Sequence, residues 1–208
     1  MAGSWRPWAC LVFILTCCEG CRAPAVGLAN GDRDTTTPAP LLVTDRWDRA
    51  RHEIVMLPPD AFASLSPRVV ADLNQAGCTI PQTWQTTVPT NVVHGRFTDP
   101  RQTDVAVLCS VEGVSSIRVY RSGTTTDVAV VSPAPDRSHL MDVGGGEIGF
   151  TREIGVADPE SIRFHNAVYG GPQSPPLDHD GVDDGFLEAA SVVWYWHDGE
   201  WLQLTGAD

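Results

Sequence analysis

The densest chemistry in the chain is the acidic run Leu177-Asp178-His179-Asp180-Gly181-Val182-Asp183-Asp184-Gly185-Phe186-Leu187-Glu188. Asp178, Asp180 and Asp183 or Asp184 follow a D-x-D-G-x-x-D spacing, which can fold hard carboxylate oxygens around Ca²⁺ with the Val182 carbonyl as a further donor. An EF-hand loop would have Asp at its fifth position and Glu at its last, where Val182 and Ala189 stand. The plainer reading of the same residues is a solvated turn, since Asp and Gly are turn formers. His165 or His179 would extend the set to a transition-metal or acid–base site with Asp178 or Asp180, because neutral imidazole is a common ligand and titrates near neutrality. No H-E-x-x-H supports that, and His94 and His165 fall in alternating segments where a hydrogen-bonded sheet histidine is the commoner case. Carboxylate pairs such as Glu147 with Glu153, or Asp178 with Glu188, carry the groups of glycoside hydrolysis but no known separation. Trp194 and Trp196 share one strand face with Trp201 across a hairpin. Exposed, they form a stacking platform for sugars or peptides; buried, they close the core.

Other chemistry is excluded by composition. The chain has 14 basic residues against 26 acidic ones and a formal charge of -12. Every basic residue is Arg, so a P-loop lysine, a Schiff-base lysine and a kinase strand lysine are all absent. Gly144-Gly145-Gly146 has no following Lys and reads as a hairpin loop. No G-x-S-x-G occurs, and Ser110, Ser116 and Ser191 sit in strand patterns. The negative charge disfavours nucleic acid, whose binding relies on cationic side chains releasing counterions.

The elements that carry these residues begin with a leader. Residues 1–18 have one Arg, no acid and an apolar run from Trp8 that is too short to span a bilayer, as an export signal is. Residues 19–42 are rich in Ala, Pro, Gly, Thr and Asp and read as a flexible tether. Residues 43–208 form a single domain of ordinary size. Four cysteines, Cys10, Cys17, Cys18 and Cys21, lie in or beside the leader, leaving Cys78 and Cys109 in the body. In an oxidising compartment those two are expected to bond. Cys109 lies inside the apolar alternation Val105-Ala106-Val107-Leu108-Cys109, which argues against a catalytic thiol.

Within the domain, residues 43–58 leave their element type open. Ser66 and Pro67 open a helix to Ala76, with Val69 and Leu73 on its apolar face, and this is the one helix the pattern supports. From Asn91 onward the chain alternates with period two. Strands are expected at 91–97, 104–110, 116–121, 127–132, 147–155, 161–167, 190–197 and 200–204. Asp198-Gly199 supplies the positive φ angles of a two-residue hairpin turn. The fold class is therefore mainly β (α+β): antiparallel sheets, as a sandwich or partial propeller, with one N-terminal helix packed on them.

Leu15-Thr16-Cys17-Cys18 resembles a bacterial lipoprotein signal, which implies lipidation at Cys18 and a membrane anchor. Gly95-Arg96-Phe97-Thr98 followed by Asp104-Val105-Ala106-Val107 resembles the strand–loop–strand of FG-GAP or VCBS repeats, in which the loop binds calcium. Here the loop is Asp99-Pro100-Arg101-Gln102-Thr103, without the alternating Asp residues. Leader, tether and closing hairpin together resemble uncharacterised exported bacterial lipoprotein-like proteins. The functional expectation is an extracytoplasmic, noncatalytic binding or structural domain, anchored to a membrane by lipid or, with a plain secretory signal, secreted or periplasmic, whose partner is a protein or surface polymer. The competing expectation is a metal-assisted or carboxylate hydrolase using Asp178, His179 and Asp180.

Overall fold

The computed structural model describes residues 45–187 and 189–207. The leader, the lipidation candidate Cys18 and the tether lie outside the described residues, as does Glu188. Among the described residues no helix is long and apolar enough to cross a membrane.

The segment left open by the sequence is a helix, α1 (Arg46–Glu53), because Asp45 caps it by accepting from the Trp47 N–H at 3.3 Å. A short strand β1 (Met56–Leu57) follows, then α2 (Pro67–Gln75), where the Ser66 hydroxyl caps Val69 N and Pro67 holds the first helical position. Strand β2 (Ile80–Pro81) pairs with β1. Four antiparallel strands then form a meander: β3 (Val92–Gly95), β4 (Asp104–Val111), β5 (Val114–Tyr120) and β6 (Val128–Pro135). A separate hairpin, β7 (Leu140–Gly144) and β8 (Glu147–Phe150), leads into the second sheet. That sheet contains β9 (Arg152–Ala157), β10 (Gly181–Phe186), β11 (Ser191–His197) and β12 (Glu200–Thr205) in antiparallel sequence order. Helix α3 (Pro159–Tyr169) lies between β9 and β10 in the chain.

Strand alternation divides the side chains into layers. Ala106 and Leu108 of β4, with Ile117 and Val119 of β5, meet Ile154 and Val182 of the second sheet in the central core. The opposite face of β4, carrying Val105, Val107 and Cys109, packs under Val69 and Leu73 of α2. On the far side, Val193, Tyr195 and Leu204 pack against Ile162 of α3. The order is helix, sheet, sheet, helix, with α1 and the β7–β8 hairpin closing one side of the central core through Ala50, Leu140 and Phe150. The expected mainly β architecture with antiparallel sheets is present as an open sandwich. Cys78, just after α2, is bonded to Cys109 of β4, with Cα atoms 5.4 Å apart. That link closes 31 positions of chain and stabilises the fold by roughly 3–4 kcal/mol in the chain-entropy view.

Three expectations are corrected. Residues 161–167 are helical, not a strand: the Asp158 carboxylate caps Ser161 N at 2.7 Å and Pro159 starts the helix. The apparent alternation of Ile162 and Phe164 was accidental, since Ile162 is buried and Phe164 is exposed. Among the described residues there are therefore three α-helices rather than one. Residues 147–155 are two strands separated at Thr151, and the second half of the acidic run, with Asp183 and Asp184, is strand β10 rather than a turn.

The loop joining β3 to β4 is organised by Asp104. Its buried carboxylate accepts from Phe97 N, Thr98 N, the Thr98 hydroxyl, the Gln102 amide and Ser122 N, at 2.8 to 3.1 Å. Five donors satisfy the charge and fix the loop.

Candidate functional site

The four carboxylates proposed as a calcium set do not converge. Asp178 precedes β10 with its side chain 69% exposed. Asp180 is bound by Arg96 through two guanidinium contacts, 2.9 and 3.2 Å, and also accepts from Arg96 N. Asp183 and Asp184 are neighbours on β10 and so face opposite sides of the sheet. Asp183 lies opposite Gly155 and Val193 on the α3 side, where burial pushes its carboxyl up against the opposing influence of the Ser191 hydroxyl and His165. Asp184 turns inward. Among the described residues no group of three or more His, Cys, Asp or Glu side chains is placed to hold a metal ion.

His179 keeps one neighbour of the proposed set, its Nε2 lying 3.9 Å from Asp178 Oδ1. His179 stacks on Tyr195 with ring centroids 4.3 Å apart and places Nδ1 3.0 Å from the Asp180 carbonyl. The Tyr195 hydroxyl accepts from Asp178 N at 3.1 Å, and burial pushes its pKa up. Glu147 and Glu153 are likewise apart in role: Glu147 borders a groove beside α1, while Glu153 is on the second sheet opposite Gly185.

Between the sheets lies a polar seam that the sequence reading missed. Arg152 on β9 is fully buried and grips Asp184 through Nε and Nη2, each at 2.8 Å. Its remaining donors reach the Ser115 carbonyl and hydroxyl and the Ser132 carbonyl, and the Ser132 hydroxyl donates to Asp184 at 2.6 Å. Nearby, Ser110 donates to the buried Asp136 carboxylate. His139, 5% exposed, sits between Phe186 and Phe150 with neither ring nitrogen hydrogen-bonded to the described residues. Burial, reinforced by the Arg152 charge and opposed by Asp184 and Asp136, pushes its pKa down to about 4, so it is neutral near pH 7. A visible signal existed for this seam: Arg152 occupies an inward position in the alternation Ile148, Phe150, Arg152, Ile154.

The tryptophans of the final hairpin are turned inward. Trp194 and Trp201 pack against the central core, with their indole N–H groups buried and without an acceptor among the described residues. Trp196 pairs with Trp201 and is covered by the Arg121 guanidinium, 4.1 Å from its ring centroid. Of the two readings of Trp194, Trp196 and Trp201, an exposed platform or a closed core, the described structure is nearer the second: a half-buried wall against the central core.

A different tryptophan borders open space. Trp84 lies in the polar stretch between β2 and β3 and donates its backbone N–H to the Phe150 carbonyl at 2.7 Å. Its ring lies against Gly149, where any Cβ would collide with it. Beside it is a groove of about 240 Å³ lined by Ala50, Ile54, Leu57, Trp84, Ile148 and Phe150, with Gln82, Gln85 and Thr86 as hydrogen-bonding groups. Val55 and Val88, which also line it, are 61% and 66% exposed. A second recess of about 600 Å³ follows α1 past Arg46, Arg49 and Glu53 to Glu147. An isolated Trp in a run rich in Thr, Gln and Pro was the sequence signal for this place. Comparison with known proteins yields no relative: no family model, curated protein or solved structure matches the chain.

Proposed function

We propose that the protein is an exported, lipid-anchored, noncatalytic binding domain, and that the groove beside Trp84 is where its protein or surface-polymer ligand docks. The observation that carries this reading is the groove itself, with apolar walls, exposed Val55 and Val88, and a polar fringe of Gln82, Gln85 and Thr86. Ligand sites commonly join apolar walls with a few placed polar groups. Of the carboxylates offered for hydrolysis, Asp180 is paired with Arg96 and Asp178 stands exposed beside His179, and the metal candidate Asp184 is paired with Arg152. Export and anchoring are supported by the leader pattern ending at Cys18.

The binding reading is tested by panning the immobilised protein against a displayed random-heptapeptide library and a panel of surface polysaccharides. Ligands selected on the native protein should be lost on Trp84→Ala while its fold is retained. Selected ligands that ignore Trp84→Ala would remove the groove from consideration. Anchoring is tested separately by fatty-acid labelling, which Cys18→Ser should abolish.

A further inference from the structure

We infer that the groove takes an extended, basic polypeptide segment, which adds as a strand to the free edge of β8; this rests on the proposed binding reading and specifies its ligand. The hydrogen bonds of the β7–β8 hairpin fix which way its backbone groups point. Thr151 N donates to the His139 carbonyl at 2.9 Å, so the 139–151 pair is bonded across the hairpin. Antiparallel pairs alternate, and the register runs through Leu140↔Phe150, Met141↔Gly149 and Asp142↔Ile148. Gly149 therefore directs its backbone groups toward β7, while Phe150 and Ile148 direct theirs away from it.

The Phe150 carbonyl confirms this orientation, because it accepts from Trp84 N on the side away from β7. The chain then leaves that edge: Gln85 has a φ of 59° and Thr86 N turns back to the Thr83 carbonyl. Ile148 keeps an outward N–H and carbonyl with no bond to another segment among the described residues, and it lines both recesses. A strand edge with unused groups is a template for another extended chain. The corresponding edge strand β6 carries Pro133 and Pro135, residues that blunt such pairing.

Size and charge define the occupant. The wall made by α1 has eight residues, about 12 Å at 1.5 Å each, which matches roughly four extended residues. The residue opposite Ile148 would turn its side chain toward the same face as Ile148, where Ala50 and Ile54 supply an apolar contact. Arg46 is occupied by Asp142 at 2.7 Å, whereas Glu53 and Glu147 have no ion pair among the described residues, against the single unpaired Arg49. With a chain charge of -12, the field favours a basic segment and opposes a second copy of this chain.

The test uses isotope-labelled full chain and a blocked lysine-valine-threonine-valine-threonine-valine-lysine peptide. Binding should slow hydrogen exchange at Ile148 N–H by about tenfold or more, and replacing both lysines by glutamate should weaken binding about tenfold. N-methylation of alternate peptide nitrogens should discriminate: one set loses about tenfold in affinity and the other leaves it unchanged. Equal effects of the two sets, an unprotected Ile148 amide at saturation, or no binding of the basic peptide would overturn strand addition. If library-selected ligands still depend on Trp84 in that case, only this inference fails and the groove remains the binding site.

Discussion

The seam around Arg152 and the groove around Trp84 lie at the two faces of the same residues, since Phe150 touches His139 on one side and borders the groove on the other. The seam has the charges and the groove has very few. Yet every donor of Arg152 is used within the fold, on Asp184, Ser115 and Ser132, while the groove leaves the outward backbone groups of Ile148 without a bond to another segment among the described residues, beside apolar surface. Unused bonding capacity, rather than charge density, marks the place open to a ligand. The Arg152–Asp184 pair, set within the second sheet, is bonded across to the first through Ser115 and Ser132.

The largest expected effect is that of Arg152→Ala. It leaves Asp184 charged, buried and unpaired, and is expected to cost about 3–5 kcal/mol in urea unfolding. The pair replacement Arg152→Met with Asp184→Leu should recover most of that loss, because the charge and its partner leave together. A double mutant as unstable as Arg152→Ala would mean that the bonds from Arg152 to Ser115 and Ser132, rather than its pairing with Asp184 inside the second sheet, carry the seam's stability. Next in size, reduction of Cys78–Cys109 should lower stability by roughly 3–4 kcal/mol without closing the groove, which thiol titration alongside unfolding would check.

The third effect is pH dependence. His139 has a folded pKa of about 4 against an ordinary 6.5, so below pH 6.5 the unfolded chain takes up a proton that the folded chain refuses. Its contribution is fully present above about pH 6.5 and is lost as pH falls toward 4, by about 3 kcal/mol in all. Denaturation midpoints across that window should show the decline, and His139→Phe should flatten it. The smallest expected effect sharpens the fate of the acidic run: millimolar Ca²⁺ should shift Tm by less than about 1 °C, because Asp180 and Asp184 are already held by Arg96 and Arg152. A rise of several degrees would restore the acidic run as a metal site.

Much of the framework was legible because strands declare themselves by period two. The alternation in Val105 to Cys109 marked a central strand, Ser66-Pro67 a helix start and Asp198-Gly199 a hairpin turn, whose residues have φ of 48° and 92°. Helix α3 was hidden because Ile162 and Phe164 mimic a strand, although the stronger signal was Asp158-Pro159, a cap followed by a first-turn proline. The acidic run was misread because its neutralising partners are distant in sequence: Arg96 is 84 residues from Asp180, and Arg152 is 32 from Asp184. A local pattern of carboxylates cannot reveal cations brought by other strands. Trp84 acquired meaning only through Gly149 and Phe150, which the fold brings beside it.

The most direct test of the difference between seam and groove is to measure one library-selected ligand against three variants: Trp84→Ala, Gly149→Ala and the Arg152→Met/Asp184→Leu pair. Loss of about tenfold or more in affinity for the first two, with the pair replacement within about twofold of the native protein, is the expected result. Undiminished binding to Trp84→Ala and Gly149→Ala, with loss on the folded pair replacement, would contradict it and move the site into the seam.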